Sequence, residues 1–496
     1  MSYTPKIGNR EESRSFITAF RPRLLYSTTF LWSALTCGRL TAPMLEQLTP
    51  RFTESVIEFT FLLHCAIVAC IAWYGGSLAD VQERKSSSWG WGRLKVLGSA
   101  LSIGTLAFLG HCLPGYMRGI FPNESSIWVL AWHLIMRSIY AVAFGILQPC
   151  LDGLTLAHLD CIKGASTSDF GKERVYGAFW WSVGSLAAKM GIEYYGFGAI
   201  YALLGMSILA FYLSAIIYLW GLNRDNTGAF KPDGLKVARR QRNHQHESNP
   251  TSENDVVLSN SMLLSMVVQS RYGRALLFFI FMLAIGLSGF NEPDVFFDVL
   301  AASSTWMQIP MYCCAPFFLK RYGPGRLLIN VGVAYVVCVI GSTLVTESEI
   351  VHVLILEALH AFFYAGYNSG GVELMARMTP EGHKSSGQGI LAAFTYCGIV
   401  SGIIFGGYIH RSKLMFVTGS IGLVVALVAE LFCDKELSQN ENESPTGLEG
   451  KLPDELCPLI KSDSLISTGS EFADEITEGY MRKLKYDSLQ KYVKDW

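Results

Sequence analysis

Residues 55–80 read SVIEFTFLLHCAIVACIAWYGGSLAD, and between Glu58 and Asp80 the run holds no Asp, Glu, Lys or Arg. A bilayer core of about 30 Å needs about 20 apolar residues as helix. Backbone groups find no water there, so a run of this length must be helical. The same pattern recurs along the chain. It predicts spans near 24–46, 55–79, 94–114, 127–156, 170–190, 196–221, 275–291, 296–319, 327–345, 350–377, 386–408 and 413–433. Pro293, in Asn291-Glu-Pro-Asp294, supplies a turn between the seventh and eighth.

Composition agrees with a lipid solvent. Of 496 residues, half are hydrophobic and only 16% are charged, against about 25% in soluble domains. A formal net charge of −1 lacks the basic surface that nucleic acid requires. The twelve cysteines are scattered along apolar runs, as at Cys65, Cys70, Cys313, Cys314, Cys338 and Cys397. Without a CxxC pair or Cys/His spacing, they read as small buried hydrophobes rather than a metal site. No nucleophile–base pair or phosphate loop appears, so neither an enzyme nor a cofactor is expected.

Positive charge sets the orientation. One set of loops carries Arg84, Lys85, Arg93 and Lys95, then Lys163, Lys172 and Arg174, then Lys320, Arg321 and Arg326, then Arg377 and Lys384. The other set has only Arg51, Arg118, Arg411 and Lys413. Both termini are therefore expected in the cytoplasm, and the sequon Asn123-Glu-Ser125 falls outside. Residues 1–23 form a cytoplasmic segment without a cleavable signal. Residues 24–221 form one six-helix half and 273–433 the other. Residues 222–272 form a flexible polar linker, and 434–496 a disordered cytoplasmic tail.

Two halves suggest duplication. Gly76-Ser-Leu-Ala-Asp80 with Gly92-Arg93 follows the second span. Phe318-Leu-Lys320-Arg321-Tyr-Gly323 follows the eighth. A glycine there lets helix ends approach closely, and Asp80, Arg93, Lys320 and Arg321 can latch the halves in one state. The plainer reading is a pair of helix ends with ordinary charges.

These motifs resemble those of the major facilitator superfamily. Pro149-Cys-Leu-Asp152, Phe170-Gly-Lys-Glu-Arg174-Val-Tyr-Gly177-Ala-Phe-Trp-Trp181, Ala315-Pro-Phe-Phe-Leu-Lys-Arg-Tyr-Gly323 and the run from Pro380 to Gly389 are similar to its sugar- and nucleoside–proton symporter branch. That branch is lactose-permease-like and includes related animal major facilitator domain proteins. The resemblance implies an all-α, polytopic membrane protein of 12 transmembrane helices in two six-helix halves. It also implies a multi-pass solute transporter whose sugar site falls on Asp152, Arg174 and Trp181. Departures begin on the tenth span. His360 matches, but Glu357, Phe363 and Cys338 stand where the branch carries other charges, so its proton machinery does not carry over.

Read from the residues, Asp152 and Arg174 lie one turn from the same end of a helical hairpin and can face each other. Trp181 is almost two turns deeper, about 10 Å, on the same face as Arg174. A carboxylate, a guanidinium and an indole suit a polyol or nucleoside. The alternative is a salt bridge that closes one end, with Trp181 as packing. Glu357, His360, Tyr364, Tyr367 and Asn368 form a polar stripe opposite. Glu357 and His360 are candidates for proton coupling, or a structural pair. Arg39, inside the first span, can hold an anionic substrate with Arg174, or pair with Glu58 or Asp152.

Glu455-Leu-Cys-Pro-Leu459-Ile460 and Tyr486-Asp-Ser-Leu489 look like sorting signals that bind clathrin adaptors. They would direct the protein to an endosomal, lysosomal or vacuolar membrane, with the plasma membrane as the alternative. The expected protein is a monomer in the lipid bilayer, with a small-molecule substrate and protons as partners. The competing class is a receptor or scaffold of the same fold that no longer transports.

Overall fold

The computed structural model describes residues 22–36, 54–86, 88–116, 127–162, 165–224, 260–288, 297–344, 350–406, 408 and 411–442. Arg39, the sequon at Asn123, the turn at Pro293, most of the expected linker, and the tail signals at Glu455, Leu459, Ile460, Tyr486 and Leu489 lie outside the described residues.

The described chain is helical throughout. We number the main helices α1 (Arg23–Leu35), α2 (Glu54–Lys85), α3 (Trp91–Gly110), α4 (Ile127–Cys161), α5 (Phe170–Tyr195) and α6 (Gly198–Arg224). They continue as α7 (Asn260–Gln269), α8 (Arg271–Leu287), α9 (Phe297–Leu344), α10 (Ile350–Met378), α11 (Lys384–Gly406) and α12 (Arg411–Asn442). Both ends of the expected linker are thus helical, because α6 runs to Arg224 and α7 begins at Asn260. Among the described residues, those up to Cys433 belong to one compact unit and Asp434–Asn442 to a second.

Among the described residues, six helices are long and apolar enough to cross a membrane. The pair α7 and α8 is apolar enough only when taken together and is bent by 101°, the shape of a broken span or a re-entrant loop. One of the six, within α9, covers two expected spans, because two helices follow each other without a loop and meet at Gly323, where the backbone leaves helical geometry. That glycine has φ 79°, a left-handed value that a side chain resists. Nothing would meet a Cβ there. Gly323 therefore serves backbone conformation and not the close helix approach expected of it.

The solvent of this fold shows in α6. Its most apolar stretch has a mean hydropathy of 2.1 but is only 33% buried. Met206, Leu209, Leu213, Ile216 and Trp220 are all more than half exposed. An exposed helix that is apolar on this scale belongs in lipid. Inside, polar groups pair: the Trp32 indole donates to Thr105 Oγ1 at 2.8 Å, and the Tyr140 hydroxyl to Thr36 Oγ1 at 2.9 Å.

Two seams join the halves at one end of the bundle. In one, α11 packs along α2 and α4; in the other, α9 packs along α5. The nine described cysteines are free.

Candidate functional site

The first seam is built on Asp80, in the last turns of α2. Its Oδ1 accepts from Arg93 Nη2 at 2.8 Å and Nε at 3.2 Å, and from the Ser385 amide at 3.3 Å. Its Oδ2 accepts from the amide and the hydroxyl of Ser386, both at 2.7 Å. Those amides belong to the first turn of α11, where orphan N–H groups and the helix dipole favour an anion. Arg93 Nε also reaches Ser385 Oγ at 3.1 Å. Asp80 and Arg93 are almost fully buried.

Glycines make this contact possible. A Cβ on Gly76 would collide with the Ser385 carbonyl, and one on Gly153 with the Ser385 side chain and backbone. Upstream, Gly90 begins α3 with φ 76°, and Glu83 accepts from the Gly90 and Arg93 amides. The turn between α2 and α3 is thereby tied to the end of α2. Arg84 and His383 meet across the same seam at 3.2 Å, and Lys384 reaches Asp160 at 3.5 Å. Burial first, then the charge of Arg84, hold the His383 imidazole below its ordinary pKa.

The second seam centres on Asp169, just before α5. Its carboxylate accepts from Lys172 at 2.7 Å and from Lys320 of α9 at 3.1 Å. Burial raises its pKa, but the two lysine hydrogen bonds outweigh that and hold it below the usual carboxylate range. Ser168 donates to Glu373 Oε1 at 3.2 Å, and Arg377 donates to the same oxygen at 2.8 Å. A Cβ on Gly171 would stand 2.7 Å from the Tyr312 carbonyl. Of the four expected latch charges, Asp80, Arg93 and Lys320 engage the seams. Arg321 does not: its guanidinium lies over the Phe317 and Tyr322 rings, at 5.7 and 5.6 Å.

Deeper in the bundle, Arg174 Nη1 donates to Asp152 Oδ1 at 3.1 Å. The Tyr26 hydroxyl donates to the same oxygen at 2.6 Å. All three side chains are buried. Pro149, one turn before Asp152 in α4, leaves a main-chain carbonyl without its helical donor. The Arg174 guanidinium lies 4.4 Å from the Phe30 ring centre and 5.8 Å from that of Tyr26. Its neighbours on α5, Val175 and Ala178, pack with Tyr312 of α9 and Ala365 of α10. Arg174 therefore stands where α1, α4 and α5 of one half meet α9 and α10 of the other. Trp181 is half-buried and meets Phe30 edge-on at 6.2 Å. It is joined to Arg174 through that ring.

On α10, Glu357 Oε2 and His360 Nδ1 are 3.7 Å apart, both partly exposed. Phe363 is fully buried against Tyr335 and His360. Tyr364 is half-buried, and the Asn368 amide donates to its carbonyl at 2.9 Å. The expected polar set is thus arranged in two pairs, Asp152–Arg174 and Glu357–His360. Among the described residues, no group of three His, Cys, Asp or Glu side chains could hold a metal ion.

With this geometry in view, the comparisons with known proteins decide the family. The profile of the MFS_1 like family matches residues 29–418. The chain belongs to the MFS_1 like family. No curated protein matches its sequence. Among solved structures it is similar to the proton:xylose symporter XylE bound to 6-bromo-6-deoxy-D-glucose. The TM-score is 0.57 at 14% identity, over 84% of this chain and 96% of that one. A bacterial homologue of the iron transporter ferroportin, in its outward-facing state, gives 0.56 at 14% identity, over 84% and 99%. The shared feature is the major facilitator fold. This family member is a multi-pass membrane protein with the architecture of membrane transporters.

Sequence reasoning missed Tyr26, Phe30, Ser385, Ser386, Asp169 and His383. The run Pro380–Gly389 carried a signal, since two serines at the start of a span offer amides to an anion. Asp169 carried another, because Ser166 and Asp169 form a capping box.

Proposed function

We propose that the protein is a secondary active transporter of a small polar solute, a sugar, nucleoside or related molecule, working by alternating access. One observation carries the reading: Arg174, in a buried pair with Asp152, sits on α5 beside Val175 and Ala178, which pack against Tyr312 and Ala365 of the opposite half. A group placed where the two halves meet senses their relative movement. Asp152, Arg174 and Trp181 bind the solute, with Tyr364 and His360 opposite. Glu357 and His360 are the candidates for coupling to protons.

The positive-inside rule puts the Asp80 end in the cytoplasm, together with both termini. The form with closed seams is then outward-facing, and Gly76, Asp80, Arg93 and Lys320 hold it shut. The tail signals at Leu459, Ile460 and Tyr486 recruit clathrin adaptors and place the protein, as a monomer, in an endolysosomal or vacuolar membrane, or the plasma membrane.

The competing reading is a receptor or scaffold without transport, favoured by the way the polar side chains pair off. An organic-anion substrate rests on Arg39.

Uptake of labelled sugars, nucleosides and organic anions into liposomes, with and without a pH gradient, tests these readings. Wild-type protein should accumulate one class. Arg174→Ala should abolish uptake, since stranding a buried carboxylate costs about 3–5 kcal/mol. Glu357→Gln should remove only the gradient-driven part. Folded protein that moves nothing in the panel would favour the receptor.

A further inference from the structure

A cleft of about 400 Å³ lies where the start of α5 meets α9, lined by Lys172, Cys313, Pro316, Phe317, Lys320 and Arg321. It contains three cations. Asp169 accepts hydrogen bonds from two of them, Lys172 and Lys320. Among the described residues, Arg321 makes no salt bridge to a carboxylate and rests on aromatic rings. The cleft therefore keeps a net positive charge at the end of a lipid-facing helix.

Above it runs an apolar stripe. Trp306, Pro310, Cys313, Phe317 and Arg321 follow helical spacings of three and four along α9, so they share one face. The first four are exposed. Phe179 of α5, itself exposed, meets Trp306 edge-on at 5.3 Å and widens the stripe across the seam. From Trp306 to Phe317 the helix rises by about 16 Å. Half of a bilayer core of about 30 Å is about the same depth. The surface thus offers one leaflet of apolar contact that ends on a cationic cleft.

We propose that this cleft binds the headgroup of an anionic phospholipid, with an acyl chain along the α9 stripe. The cations favour the negative phosphodiester, and Arg321 can present two parallel donors to it. A soluble anion would satisfy the cations but would leave the stripe unused. Lys172 comes from one half and Lys320 and Arg321 from the other, so the bound lipid bridges the second seam.

The full-length protein would be titrated in one detergent with phosphatidylglycerol or phosphatidylcholine, and bound lipid counted by native mass spectrometry. Phosphatidylglycerol should bind more tightly. Arg321→Gln should weaken it about fivefold, the value of one cation at a membrane surface. Arg321→Lys, which keeps the charge but loses the paired donors, should bind more tightly than Arg321→Gln and less tightly than wild type, which excludes misfolding as the cause. Lys189→Gln, near the far end of α5, should leave binding unchanged. Equal binding of the two lipids, or equal loss in Arg321→Gln and Lys189→Gln, would overturn the proposal. So would displacement of phosphatidylglycerol by inorganic phosphate at the same concentration, which would assign the cleft to a soluble anion.

Discussion

The two seams close the same end of the bundle by different physics. At the first, Asp80 and Arg93 are 0% and 3% exposed, and the carboxylate takes five hydrogen bonds. Two glycines bring helices to backbone contact there. At the second, Lys172 and Lys320 are 49% and 52% exposed. A buried, geometrically fixed contact is costly to break, whereas an exposed ion pair contributes about 0–1 kcal/mol. If the protein works by the proposed alternating access, the Asp80 seam sets how long the closed form lasts, and the Asp169 seam adjusts it.

Four changes test that contrast. Asp80→Asn leaves Arg93 buried without its counter-charge, and should cost the closed form about 3–5 kcal/mol. Spin labels at Ser88 and Glu381, both exposed, should move apart in most molecules. An unchanged distance would show that the carboxylate is not the clasp. Gly76→Ala comes next, since its methyl must displace the Ser385 carbonyl; overpacking of this kind costs about 1–3 kcal/mol. The same label pair should show a smaller opened fraction.

Acidification should then distinguish the seams. The His383 pKa is lowered in the closed form. Its neutral state stabilises that form above the ordinary value of about 6.5, and the contribution is lost as pH falls from there toward the lowered value. Between about pH 7.5 and 5.5 the first seam should loosen, by less than about 1.4 kcal/mol per unit, and His383→Gln should flatten the response. The Asp169 pKa is lowered too, but for a carboxylate the closed form is stabilised above about 3.9 and loses that support only at lower pH. In His383→Gln protein, labels at Thr167 and Tyr322 should thus report no change over the same range. Smallest of all, Asp169→Asn should shift that pair by at most about 1 kcal/mol. A larger shift would mean that the second seam carries the closure.

Legibility followed sequence separation. Asp152 and Arg174 are 22 residues apart on a hairpin, and their meeting could be read from helix geometry alone. Glu357 and His360 are one turn apart, so their pairing was equally local. Asp80 was recognisable as a latch residue, but its acceptor role toward the Ser385 and Ser386 amides spans more than 300 residues. Tyr26, 126 residues from Asp152, gave no local sign of its role. At Gly323 the residue was picked out for the wrong reason, because a close approach and a positive φ select the same amino acid.

By itself, then, the sequence determined that this chain is a stack of membrane-spanning helices, because bilayer thickness and backbone hydrogen bonding leave a long apolar run no other structure. It also determined which charges lie at the helix ends. Only the tertiary structure decided which of those charges neutralise one another. Partners such as Asp80 and the start of α11, or Asp169 and Lys320, come from different halves, and no local periodicity constrains a contact between them.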